Sequence, residues 1–223
     1  MRFEEWEGVY REILSEFDFS EEGDKAAASL FNSIIKPLDN GLLKEKITGK
    51  RVNIYGAGPS LELIERFASG TNIAADGATS YLLKRGVVPD IVVTDLDGRI
   101  EDLRKAKKEG SIMVVHAHGD NINAIRKHVR HLGRIVGTTQ TRPFGNLNNF
   151  GGFTDGDRAV FLAHHFGAKE IHLYGMDFHG EIGKYSFTND AELKARKLKW
   201  AEKLIKRLIE KGVKVVYEDE AKA

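Results

Sequence analysis

The chain has 223 residues, enough for one large domain or one domain with a small appendage, and enough to bury a core without covalent staples. Cysteine is absent, which excludes a disulfide scaffold, a thiolate metal site and a cysteine nucleophile. Lys and Arg (34) balance Asp and Glu (33), so the net charge of +1 lacks the basic excess of a nucleic-acid binder. No apolar run approaches the roughly 18 residues of a membrane-spanning helix. The start, Met1-Arg2-Phe3-Glu4-Glu5-Trp6, shows neither the basic nor the apolar region of a secretory signal. A cytoplasmic protein bound to neither nucleic acid nor membrane is expected.

In chain order, Trp6, Val9, Tyr10, Ile13, Leu14 and Phe17 recur at helical spacing and predict a helix over 3–17. Ala27, Leu30, Phe31 and Ile34 predict a second over 24–36, stopped by Pro37. No strand pattern interrupts them, so residues 1–48 read as a helical appendage to an α/β domain over 49–223. From Arg51 the texture changes. Short apolar runs predict strands at 52–55, 72–75, 91–94, 112–115, 134–136, 170–174 and 213–217. Between them, amphipathic stretches predict helices at 60–68, 78–84, 100–108, 122–131, 157–166 and 191–211. Near-continuous Val/Ile strands joined by helices specify a doubly wound, mostly parallel, Rossmann-like α/β sheet. The segment from Gly137 to Phe153 has no periodicity and reads as a long loop, either a substrate lid or a plain surface excursion.

Ligands of open parallel sheets bind beyond the carboxyl ends of the strands, and the polar motifs fall there. Gly56-Ala57-Gly58-Pro59-Ser60 follows the first predicted strand of the α/β domain, Asp76-Gly77 the second and Asp95-Leu96-Asp97-Gly98 the third. His116-Ala117-His118-Gly119-Asp120-Asn121 and Met176-Asp177 follow later strands. The Gly56–Ser60 segment, turning from a strand into a helix, suits close backbone approach to a phosphate, with an ordinary tight turn as the alternative. It partly matches a dinucleotide fingerprint, but Leu61 replaces the third glycine. Asp95 and Asp97, joined by Asp76, can converge on one hard cation such as Mg²⁺. The alternatives are a helix cap at Asp76 and a simple turn at Asp97-Gly98. Thr154 and Asp157 suit a capping box, which leaves Asp155 as the functional acid of that helix start. His116 and His118 suit phosphate or substrate binding better than metal ligation, and Asp120 can cap the next helix. His128, His131, His164, His165 and His172 read as ordinary residues on or beside helices. Of the last helix's cations, Lys197 or Lys199 is placed to reach a triphosphate.

Several of these motifs also carry a family likeness. Ala75-Asp76-Gly77-Ala78, Pro89-Asp90 through Asp97, and Thr154-Asp155-Gly156-Asp157-Arg158-Ala159 resemble the catalytic domain of thiamine pyrophosphokinases, without that family's β-rich half and with Thr94 and Gly98 in place of its usual Gly and Ser. Across nearly the whole chain, the Gly56–Leu61, Val93–Gly98, His116–Asn121, Gly152–Ala159 and Gly175–Phe178 motifs are similar to the archaeal 6-hydroxymethyl-7,8-dihydropterin pyrophosphokinases. This resemblance implies Mg²⁺-dependent transfer of diphosphate from ATP to the pterin hydroxymethyl group, giving AMP. It implies that Asp76, Asp95 and Asp97 hold the metal, while Asp155 joins them or accepts the hydroxyl proton. Gly56, Gly58, Pro59, Ser60, His116, His118, Asp120 and Asn121 would then line the nucleotide or phosphate site. Asp177 is the expected partner of the pterin's guanidine-like edge, with Phe150 or Phe153 as a stacking face. A homodimer is the expected assembly. A diphosphotransferase for another alcohol, a redox protein and a non-catalytic nucleotide sensor are the other readings.

Overall fold

In the computed structural model, residues 3–187 and 190–218 are described. Helices α1 (Phe3–Phe17) and α2 (Glu21–Ile34) open the chain, followed by β1 (Lys36–Pro37) and α3 (Gly41–Ile47). Then come β2 (Arg51–Tyr55), β3 (Thr71–Ala75), α4 (Ala78–Lys84), β4 (Ile91–Thr94), α5 (Ile100–Lys108) and β5 (Ile112–Ala117). The second half holds α6 (Ile122–His128), β6 (Arg134–Thr139), β7 (Leu147–Asn148), α7 (Asp155–His165), β8 (Glu170–Tyr174), α8 (Ala191–Glu210) and β9 (Val215–Tyr217).

The strands form one nine-stranded sheet in the order β1-β6-β5-β4-β3-β2-β8-β9, with β7 also paired to β6, and every pairing is parallel. Its central strands are buried on both faces, which explains their unbroken Val/Ile character. On one face, α1, α3, α7 and α8 pack on Val52, Ile54, Ile73, Val93, Val114 and Leu173. On the other, α2, α5 and α6 cover Val92, Met113, Val115 and Ile135, while α4 covers Ala74 and Tyr55. Consecutive strands run outward from β2 toward β6, and the chain then returns to place β8 on the other side of β2. That reversal defines the topological switch point. Among the described residues no helix is long and apolar enough to cross a membrane.

Three expectations change. The helix predicted at 60–68 is only a 3₁₀ turn, Pro59–Leu63, after which residues 64–70 turn back to β3. The N-terminal segment is not purely helical. β1 joins the sheet edge, while α1 and α2 straddle that edge and share the cores of opposite sheet faces. Between β1 and β2 the chain forms α3, whose Leu43 and Ile47 are buried. Finally, the stretch after Gly137 is no loose excursion. β6 continues to Thr139, Thr139 to Thr141 are buried, and β7 pairs beside them.

Candidate active site

Four carboxylates meet at the carboxyl edge of the sheet. Asp76 follows β3, Asp95 and Asp97 follow β4, and Asp155 opens α7. One oxygen from each lies within 4.8 Å of the others. The backbone is bent to achieve this. Asp76 and Leu96 take positive φ values of 40° and 70°, a region uncommon for residues other than glycine. With Leu96 turned left-handed, the carboxylates before and after it reach the same point. Thr94 fixes the turn: its hydroxyl donates to Asp76 Oδ1 and accepts from the Leu96 amide at 2.8 Å. Asn121 ties the Asp95 carbonyl to that of His116, donating to each at 2.7 Å. Gly98 leaves room for Asp76, since a Cβ there would overlap its carboxylate. Neither simple alternative holds. Gly77, not Asp76, occupies the cap of α4, and Asp97 is gathered into the acid group.

The four groups differ in proton affinity. Burial, then the charges of Asp155 and Asp95, pushes Asp76 up to about 7. Burial, then Asp95, raises Asp155 well above the ordinary carboxylate range. Asp97, the most exposed of the four, is raised by desolvation in the cavity and by the charges of Asp95 and Asp76. Asp95 runs the other way. Burial disfavours its charge, but the hydrogen bond from His118 and the charges of His118 and Arg158 outweigh that and hold it well below the usual range. His118 Nδ1 accepts the Asp120 amide at 3.4 Å, which puts the ring proton on Nε2, 3.3 Å from Asp95 Oδ2. Like charges this close raise one another's pKa unless a cation joins them, so the donor set fits a hard divalent ion.

These acids lie in a cavity of about 430 Å³ that extends from the β2–β8 switch point to the α1–α2 turn. Lys194 and Lys197 reach into it from α8, and burial lowers the Lys197 pKa. Lys197 Nζ stands 5.3 Å from the Phe19 ring centre and 5.9 Å from that of Phe153. Lys199 lies elsewhere, on the surface beside Trp200 and Glu16.

The remaining expected residues divide. Gly56 and Gly58 line the cavity, but their amides bond to the carbonyls of Tyr174 and Gly175, and the Ser60 amide bonds to Asp177. With no α-helix behind it, this turn is not the helix-terminal phosphate cradle its sequence suggests. The glycines permit close approach of the β8 loop: a Cβ at Gly56 would lie 2.6 Å from the Gly175 oxygen. Pro59 and Ser60 stand outside the lining, while Asp177 belongs to it and accepts the Ser60 hydroxyl at 2.7 Å. His118 and Asp120 line the cavity. His116 is buried behind it with Asn121, and Phe153 lines it where Phe150 packs on His165 and Phe166. Asp157 closes the capping box, accepting from Thr154 N and Oγ1 at 2.7 and 2.6 Å. His172 is not on a helix; it sits in β8 and bonds Glu218.

Besides Lys194 and Phe19, Arg158 and Asp24 escaped the sequence reading. Arg158 bonds Asp155 at 3.1 Å, three residues apart on one helix face. Asp24 is buried at the far end of the cavity, where it accepts from Tyr10 (2.6 Å), Gln140 (2.7 Å) and the Gly119 amide (2.8 Å). The available signal was an acid in register with Ala27, Ala28 and Phe31 on the apolar face of α2.

Fold and site define an α/β protein of the class that gathers acids and binds ligands at the carboxyl ends of a parallel sheet. Within that class, the family described as 6-hydroxymethylpterin diphosphokinase MptE-like matches residues 25–182, and the chain belongs to this family. A Pyrococcus furiosus protein named 6-hydroxymethyl-7,8-dihydropterin pyrophosphokinase is 47% identical over 95% of this chain and 96% of its own length. Proteins of the same name from Methanocaldococcus jannaschii and Methanothermobacter thermautotrophicus are each 43% identical over 95% of this chain and 97% of theirs.

Proposed function

We propose that this chain is a 6-hydroxymethyl-7,8-dihydropterin pyrophosphokinase. It transfers the terminal diphosphoryl group of ATP to the pterin hydroxymethyl oxygen. The bond between the α-phosphate oxygen and the β-phosphorus breaks, a new oxygen–phosphorus bond forms at the β-phosphorus, the hydroxyl proton is released and AMP departs. The observation that carries the reading is the group of four carboxylates within 4.8 Å beside Lys194 and Lys197.

Asp76, Asp95, Asp97 and Asp155 would hold Mg²⁺, which when bound neutralises and orients the ATP phosphates. Lys194 and Lys197 stabilise phosphate charge from the α8 side of the cavity. Phosphoryl transfer through a loose transition state draws more on positioning and charge than on proton abstraction. Asp155, held by Arg158, is therefore assigned to the metal group rather than to the base. Gly56, Gly58, His118 and Asp120 contribute walls around the ligands, while Pro59, Ser60, His116 and Asn121 brace those walls. Phe153 and Phe19 offer the pterin a stacking face. Asp177 offers its edge the carboxyl oxygen that Ser60 leaves free.

Phosphorus NMR of the protein with ATP, Mg²⁺ and the hydroxymethyl-dihydropterin should show AMP and a pterin diphosphate. ADP as co-product, or equal turnover of thiamine, contradicts the assignment. Asp95→Asn should reduce turnover by at least about 100-fold with the circular dichroism spectrum unchanged.

A further inference from the structure

Behind the acid group, two buried polar atoms have no hydrogen-bond partner among the described residues: Nε2 of His116 and Nε of Arg158. The two side chains are 3% and 7% exposed. Both line the same void of about 10 Å³, walled by Val93, Val114, Thr138 and the turn at Gly151 and Gly152.

The bonding around His116 favours one tautomer. Thr138 has one hydroxyl proton and donates it to the Val115 carbonyl at 3.1 Å. With that proton used, its oxygen accepts from His116 Nδ1, 2.9 Å away, an arrangement that leaves a lone pair on Nε2. Burial, then the charges of Arg158 and His118, outweighs the Asp95 charge and the neighbouring Gln140 side chain and holds the His116 pKa well below its ordinary value, so the ring is neutral. Arg158 Nε is a donor in every state. One unmet acceptor and one unmet donor thus share a space at the lower bound for a single water molecule.

We propose that one ordered water occupies this void, accepting from Arg158 Nε–H and donating to His116 Nε2, and that His116 acts through it as a positioning residue for Arg158. The stem of that arginine is already confined, because a Cβ at Gly152 would lie 2.5 Å from the Arg158 Cα. With Nε anchored as well, the guanidinium keeps one orientation, and its Nη1 holds Asp155 Oδ1 at 3.1 Å. His116 therefore serves the acid group from outside the ligand cavity. That consequence rests on the function proposed above; the water site does not.

Nitrogen-15 NMR of histidine-labelled wild-type protein, without metal or substrate, reads the tautomer directly. A protonated Nδ1 and an unprotonated Nε2 are expected for His116, and a protonated Nε2 overturns the proposal. A high-resolution crystal structure should place an oxygen within hydrogen-bond distance of both atoms; a dry void or a direct ring–guanidinium bond refutes it. His116→Leu and Arg158→Lys each remove one end of the bridge. In a melting titration, each should raise the half-saturating Mg²⁺ concentration about 10-fold. The double variant should show no more than the larger single effect, since both changes remove one link. Effects that multiply overturn the positioning role. Neither wild-type measurement depends on turnover, so failure of the diphosphotransfer reading would leave them standing.

Discussion

In EDTA, with no divalent metal bound, four carboxylates face one another, and the structure gives the sign of the resulting strain. Asp76 is 7% exposed and keeps its proton up to about pH 7, whereas in the unfolded chain it ionises near pH 4. Between those values the folded state binds a proton that the unfolded chain has lost, so stability falls as pH rises. At about 1.4 kcal/mol per pH unit the difference amounts to about 4 kcal/mol, present in full below about pH 4 and lost above about pH 7. For a chain of this size 1 kcal/mol moves Tm by roughly 2–4 °C, so the group alone accounts for on the order of 10 °C.

Other groups titrate too: Asp97 and Asp155, raised like Asp76, also cost the fold stability as pH rises. Asp95 contributes with the opposite sign, but its depressed pKa places that change in the acid range, below about pH 4. Neutral His116 adds stability as pH rises toward about 6.5. The informative quantity is therefore the difference between wild type and Asp76→Asn, whose amide oxygen can still accept the Thr94 hydroxyl. By scanning calorimetry in EDTA, the Asn variant should melt above wild type at about pH 8 and lose most of that advantage toward about pH 5. Mg²⁺ should then stabilise wild type far more than the variant. An Asn variant that melts at or below wild type at the higher pH would refute the reasoning.

Lys197→Met removes a cation from the cavity and should lower kcat/KM for ATP by about 10-fold or more in steady-state assays. Gly56→Ala forces apart the β2 and β8 loops, because its Cβ would meet the Gly175 oxygen and Met176 sulfur at 2.6 Å. It should cost about 1–3 kcal/mol, seen as a lower urea midpoint with an unchanged m-value. Tyr10→Phe deletes a 2.6 Å hydrogen bond to buried Asp24, which Gln140 and Gly119 still satisfy. A loss of about 1.5–3 kcal/mol is expected, read as a Tm lower by roughly 3–12 °C.

The central strands were legible because each is buried on both faces, which leaves a Val/Ile signature that needs no tertiary knowledge. Asp76, Asp95 and Asp97 were legible for a related reason, since parallel strands bring their carboxyl ends to one edge whatever their order. Asp155 emerged by elimination, once Thr154 and Asp157 had satisfied the helix start. Features set by non-local contact were not legible. The glycines at 56 and 58 look the same whether they admit a phosphate or a neighbouring loop, and only the position of the β8 loop distinguishes the two. β1 and β7 are two-residue strands with no periodicity to detect. Lys197 and Lys199 are equivalent in sequence, and the direction of α8 against the sheet separates them.

The site also gathers the unfavourable terms that the rest of the sheet avoids. Two residues other than glycine sit in the left-handed region, at a cost of order 1–3 kcal/mol each, beside acids that repel one another. A divalent ion would relieve the repulsion but not the backbone strain, which is present with or without it. Geometry is therefore imposed by neutral residues outside the acid group: Thr94, bridging Asp76 and the Leu96 amide, and Asn121, tying the Asp95 carbonyl to β5. The acids supply charge, and this pair of side chains decides where the charge converges.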